Sequence, residues 1–160
     1  MDDQLQIYQQ VILDHNRKPK NFRQINDATY KIEGFNPLCG DHLWVYCVVD
    51  KNKTITDISF DGHGCAISKA SASMMTASLR GKSVTEAVNM FHQFQQLLTH
   101  QISPDTENNK LGKLNIFSGI WKYPSRVKCA GLAWHALHSG LSGGNDCVST
   151  EGTDDGTVSS

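Results

Sequence analysis

His42-Leu43-Trp44-Val45-Tyr46-Cys47-Val48-Val49-Asp50 is the stretch on which the fold turns. Leu43, Val45, Cys47 and Val49 fall on one face and Trp44, Tyr46 and Val48 on the other, the two-residue period of a strand with a buried side. Asp50-Lys51-Asn52-Lys53 reads as a turn and Thr54–Phe60 as a further strand, while Thr29–Phe35 upstream has the same character. Connections this short suit antiparallel neighbours. The segment therefore predicts a small antiparallel three-stranded sheet.

Away from these strands the period becomes helical. Leu5, Tyr8 and Ile12, with Ile7, Val11 and Leu13 on adjoining rows, predict a helix over residues 4–15 that stops at Asn16 ahead of Pro19. Ala66–Arg80 is rich in small residues and Met, suits close helix packing, and meets a stop at Gly81. Met74 and Met75 read as packing residues within it. Ser83-Val84-Thr85-Glu86 is a capping box for a helix reaching about His100. Gln101–Lys113 is polar, carries Pro104, and reads as a loop; residues 114–123 read as a short helical turn. Ser125 is the expected cap of a last helix to about Leu141, striped by Val127, Ala130, Trp134, Leu137 and Leu141. Strands followed by helices argue an α+β fold packed as one domain over residues 1–141. From Ser142 to Ser160 the chain holds Gly, Ser, Thr, Asp and Glu but no Lys or Arg, the composition of a disordered acidic tail whose removal is expected to leave function unchanged.

The 160 residues, with a formal net charge of -1, give no electrostatic case for nucleic acid or an anionic membrane as partner. No apolar run approaches the ~20 residues that span a bilayer. Met1-Asp2-Asp3-Gln4 lacks the basic start of a signal peptide, so a cytoplasmic location is expected. Thiols stay reduced there, and the chain's five cysteines then point to metal or redox chemistry rather than to disulfides.

Three of the five cysteines lie at chain reversals: Cys39 in Asn36-Pro37-Leu38-Cys39-Gly40-Asp41, Cys65 in Phe60-Asp61-Gly62-His63-Gly64-Cys65, and Cys129 in Tyr123-Pro124-Ser125-Arg126-Val127-Lys128-Cys129-Ala130. With Asp41 they make a four-donor set for a tetrahedral metal. Cys65 precedes a helix and Cys129 falls in the first turn of another as predicted, places where backbone N–H groups favour a thiolate. One free cysteine alone reads equally as a small buried hydrophobe; three at element starts, beside Gly or basic residues, point to a shared site. Cys47 alternates with core residues and reads as core, Cys147 as an incidental exposed thiol. His63 and His42 read either as contributors to the site or as strand-end residues, with solvent favoured for His63. His135 and His138 are expected at the surface. Arg126 and Lys128 read as a solvated helix start or as cations beside thiolates.

These blocks, with Tyr8-Gln9-Gln10-Val11-Ile12-Leu13-Asp14-His15, Pro19, Asn21 and Leu132-Ala133-Trp134, resemble the NifU/IscU-like superfamily of iron–sulfur cluster assembly proteins from about Leu5 to Leu141. Within it the resemblance is to the SufU branch. Scaffold-type IscU proteins carry a histidine immediately before the third cysteine where this chain has Lys128. They have a shorter stretch between the second and third cysteines, and a Leu-Pro-Pro-Val-Lys segment that is absent here.

The resemblance implies an α+β sandwich and zinc bound by Cys39, Asp41, Cys65 and Cys129. It also implies a partner, a SufS-type cysteine desulfurase that uses pyridoxal phosphate, and possible delivery to a downstream iron–sulfur scaffold. On this reading the partner supplies a histidine to zinc, Cys39 is released and takes the persulfide sulfur, and Arg126 holds the active loop or the persulfide charge. The alternative is a scaffold on which an iron–sulfur cluster is built, since three cysteines and a fourth ligand also suit a [2Fe–2S] centre. Zinc as a purely structural staple is weaker, because a domain of this length has core enough without one.

Overall fold

The structure is a computed structural model that describes residues 2–143 and 147–150, the side chains of residues 2–4 excepted. Helix α1 (Asp2–Arg17) leads into strands β1 (Tyr30–Asn36), β2 (Asp41–Val49) and β3 (Ile55–His63). Helices α2 (Ala66–Leu79), α3 (Val84–Leu98) and α4 (Pro124–Leu141) follow, with 3₁₀ segments at Gly112–Phe117 and Ile120–Lys122, and then strand β4 (Cys147–Ser149).

The three expected strands form as antiparallel neighbours, with Glu33 opposite Trp44 and Val45 opposite Phe60. The predicted three-stranded antiparallel sheet is nonetheless a four-stranded mixed one, in the order β3-β2-β1-β4, because β4 adds to β1 in parallel. The reading of 142–160 as a wholly unstructured tail is corrected at 147–150: Val148 is buried in the core and the Thr150 amide donates to Phe35 O at 3.0 Å. Three residues with one apolar side chain are too few to show a period in sequence. Residues 151–160 lie outside the described residues.

One sheet face is sealed. Leu43, Val45, Cys47, Ile58 and Phe60 have no exposed surface, and Cys47 is the core residue its alternation predicts. Each large aliphatic or aromatic side chain buried this way contributes about 1.5–3 kcal/mol. Helices α2 and α4 cover this face. The small residues of α2 are buried on nearly every side, which is what lets it pack between α1, α4 and the sheet. Its buried hydroxyls are used: Ser71 Oγ donates to Ala130 O on α4 at 2.6 Å, and Ser73 Oγ accepts from the Lys20 amide at 2.7 Å. The α3 capping box forms as predicted, with Ser83 Oγ accepting from the Glu86 amide and Glu86 Oε1 from the Ser83 amide.

Helix α4 starts earlier than expected. Tyr123 is its N-cap, without a side-chain cap, and Pro124 takes the first helical position, where its missing N–H costs nothing. Ser125 is therefore inside the helix, and Cys129 lies in the second turn rather than the first. Among the described residues no helix is long and apolar enough to cross a membrane.

Candidate metal centre

The sheet topology brings the predicted ligands together. Because β1, β2 and β3 alternate in direction, the end of β1, the start of β2 and the end of β3 share one edge, with Asn36 opposite Asp41 and His42 opposite His63. The Pro37–Gly40 turn places Cys39 there, exposed; Gly40 takes φ +73°, a left-handed conformation that glycine adopts without strain. Asp41 opens β2 fully buried. Cys65 follows β3 as the N-cap of α2, and α4 crosses above to lower Cys129, 3% exposed, onto the same point.

The distances describe one cluster. Cys39 Sγ and Cys129 Sγ are 3.4 Å apart, and ligand atoms of Cys39, Asp41 and Cys129 all lie within 4.8 Å of one another. Cys65 stands outside that trio but touches two members: its Sγ is 3.8 Å from Asp41 Oδ2, and it shares a hydrogen bond with Cys129. The Cys65 amide donates to Asp41 Oδ1 at 2.7 Å. Gly64 makes room for this: a Cβ there would stand 2.4 Å from Ser68 Oγ and 3.0 Å from Asp41 Oδ1.

The donor set fits a metal. Thiolates about 2.3 Å from a tetrahedral zinc stand about 3.8 Å from each other, close to the spacings seen here. Three thiols gather around a carboxylate without forming a disulfide. Their electrostatics are those of a pair that shares one proton. The Cys65 thiol is held below the usual thiol range, first by the hydrogen bond from Cys129 and then by the Ser68 amide, against the opposing effect of burial. The Cys129 thiol is pushed up, first by that same hydrogen bond and then by burial. A cation bound among these donors would take the place of the thiol protons.

Arg126 is exposed and its guanidinium lies 4.6 Å from the centre of the Tyr123 ring. With Tyr8, Val11, Met74 and Ile116 it lines a groove of about 890 Å³ that none of the four donors lines. His63 is exposed, as favoured, and His42 is engaged by Glu33 and stacked on Trp44. Cys147 faces Glu33 across the sheet edge, its thiol pushed up by burial and by that carboxylate. His135, expected at the surface, is buried against Phe91.

Sequence reasoning gave no role to Asn36, which is fully buried behind the ligands. Its Nδ2 donates to Asp41 Oδ2 at 3.3 Å and to Cys129 Sγ at 3.5 Å. The signal was present, since Asn36 opens the Cys39 turn, but a polar residue before proline reads first as turn chemistry. Tyr8 was also missed. Its phenol is pushed up by burial, against the lowering effect of the Arg126 guanidinium, and it lines the same groove as Arg126.

The NifU-like N terminal domain family matches residues 7–130. The chain is 37% identical over 142 residues to the zinc-dependent sulfurtransferase SufU of Bacillus subtilis, covering 87% of this chain and 94% of that protein. It is 37% identical over 135 residues to the iron–sulfur cluster assembly scaffold protein IscU of Streptococcus pyogenes, covering 84% and 82%. Its structure matches that of an iron–sulfur assembly scaffold protein for the SUF system from Fervidobacterium islandicum with a TM-score of 0.75 at 34% identity, covering 82% and 93%. A NifU-like N-terminal structure from Brucella abortus, 20% identical, matches with a TM-score of 0.74 over 85% and 92% and shares the fold.

Proposed function

The chain belongs to the NifU-like N terminal domain family, and from that premise we propose that it serves iron–sulfur cluster assembly as a zinc-dependent acceptor of persulfide sulfur. The donor would be a SufS-type cysteine desulfurase in the cytoplasm. One domain, running through β4, would carry the whole site. Cys39, Asp41, Cys65 and Cys129 would hold the zinc. The observation that carries the reading is the unequal exposure of those donors: Cys39 is exposed on a turn, while Asp41 and Cys129 are buried. Bound zinc would keep the thiols deprotonated without adding redox chemistry of its own.

The remaining chemistry belongs to the chain. The Pro37–Gly40 turn lets the Cys39 thiolate move outward more easily than a helix lets Cys129. Cys39 Sγ attacks the outer sulfur of the partner's persulfide. A new S–S bond forms on Cys39, the partner's S–S bond breaks, and the partner's cysteine leaves as a thiolate. Arg126, which is exposed and lines the groove, would meet the negative charge of the incoming persulfide. Incubation with a cysteine desulfurase, cysteine and pyridoxal phosphate, followed by mass spectrometry of alkylated peptides, tests this: the extra sulfur belongs on Cys39.

A scaffold function is the second reading, favoured by the IscU name of the Streptococcus pyogenes relative. Protein purified without oxygen separates the two. A colourless protein with about one zinc per chain fits sulfur transfer, and a brown one with iron and sulfide fits the scaffold.

A further inference from the structure

Strand β4 ends at the back of the metal centre. Val148 anchors it in the core, Ser149 pairs with Phe35, and the Thr150 amide donates to Phe35 O. This places Thr150, itself buried, so that its Oγ1 donates to Asn36 Oδ1 at 2.9 Å. We propose that Thr150 is a positioning residue for the metal donors, acting through the amide of Asn36. The inference rests on the reading of Cys39, Asp41, Cys65 and Cys129 as metal ligands.

A side-chain amide has one accepting and one donating end. Asn36 is sealed from water, so both ends need partners within the protein. The donating end is spent on Asp41 Oδ2 and Cys129 Sγ, two groups that carry negative charge when they bind a cation. Turned over, the amide would press its carbonyl oxygen against both. The accepting end then needs a donor on the far side, and the Thr150 hydroxyl is that donor. Without it the carbonyl is buried unpaired, and the amide can regain a partner only by leaving Asp41 and Cys129. Groups that orient metal ligands in this way typically change affinity by about 10–100-fold when removed.

Zinc affinity by chelator competition, and the absorption bands of the cobalt(II)-loaded protein, test the inference on the full chain. Thr150→Val should weaken zinc binding about tenfold or more and shift the cobalt bands, and Thr150→Ser should restore both. In an Asn36→Ala background, Thr150→Val should add little. Thr150→Ala replaces Thr150→Val if the latter does not fold. Parent-like affinity and spectrum in Thr150→Val would overturn the inference and leave the metal reading standing. So would Thr150→Ser behaving like Thr150→Val, or an undiminished Thr150→Val effect in the Asn36→Ala background. A parent protein that binds neither zinc nor cobalt would remove the metal reading and the inference with it.

Discussion

Cys39 Sγ and Cys129 Sγ meet at 3.4 Å across a sequence separation of 90 residues, as free thiols. Close thiols of this kind must share a proton, oxidise, or share a cation. The exposed member sits on a turn and the buried one in a packed helix, so the contact joins a movable group to a fixed one.

Ligand loss and core loss should separate. Cys65→Ala and Cys129→Ala should lower both bound zinc and the melting temperature, the latter by about 5–10 °C for a loss of about 2–3 kcal/mol. Cys47→Ala removes a fully buried thiol and should cost about 1–2 kcal/mol while leaving zinc stoichiometry unchanged. Elemental analysis alongside calorimetry reads both; an unchanged zinc content in Cys129→Ala would remove it from the ligand set.

Sulfur transfer should depend on Cys39 alone. Cys39→Ala should abolish stimulation of a cysteine desulfurase, whereas Cys147→Ala should retain it. Persulfide accumulating mainly on Cys147 would show the acceptor to be misassigned.

Two glycines two residues apart should fail differently. A Cβ at Gly62, where φ is +114°, would stand 2.2 Å from the His42 carbonyl oxygen, a backbone atom of the neighbouring strand. Gly62→Ala should therefore destabilise the sheet itself, by about 2–4 kcal/mol. At Gly64 the clashing atoms belong to Ser68, which can rotate, and Asp41, which the Cys65 amide holds. Gly64→Ala should leave most of the fold's stability and cut zinc affinity about tenfold or more. Urea unfolding and chelator competition on the two variants compare these losses directly.

Away from the centre, Arg23 holds the Asp57 carboxyl below the usual aspartate range through two hydrogen bonds, of 2.7 and 3.2 Å. A depressed carboxyl pKa stabilises the fold above the ordinary aspartate range and loses that effect as pH falls through the depressed value. Asp57→Asn should therefore be less stable than the parent by about 0.5–1 kcal/mol at pH 7, the range for a partly exposed pair. The gap should close as pH falls through the depressed carboxyl value, as followed by urea unfolding at successively lower pH.

The strands, the α3 capping box and the core place of Cys47 were legible because each is a local pattern: alternation, or a Ser three residues before a Glu. The cluster of Cys39, Asp41, Cys65 and Cys129 was legible for a different reason, since three thiols beside glycines and helix starts read as one shared site rather than as three separate core residues. What escaped depends on packing between distant segments. Val148 gains its place only because β1 offers an open edge. His135 is buried because Phe91 on α3 covers it. Asn36 acquires its role from a helix that begins almost ninety residues later in the chain. The start of α4 was misplaced by one local rule overriding another: a serine cap was expected where a proline at the first helical position opens the helix.

The late position of Thr150 also bears on how the protein is made. A chain emerging from the ribosome presents Cys39, Asp41 and Cys65 first, with the residues of three strands made but α4 still to come. At about 5–20 residues per second, the stretch from Cys65 to Cys129 takes roughly 3–13 s to synthesise. Throughout that interval the chain holds two of the three thiols and the carboxylate, and lacks the Cys129 that the finished fold sets against Cys39. On the reading of these residues as ligands, the full donor set exists only once α4 has arrived, and Thr150 reaches Asn36 later still.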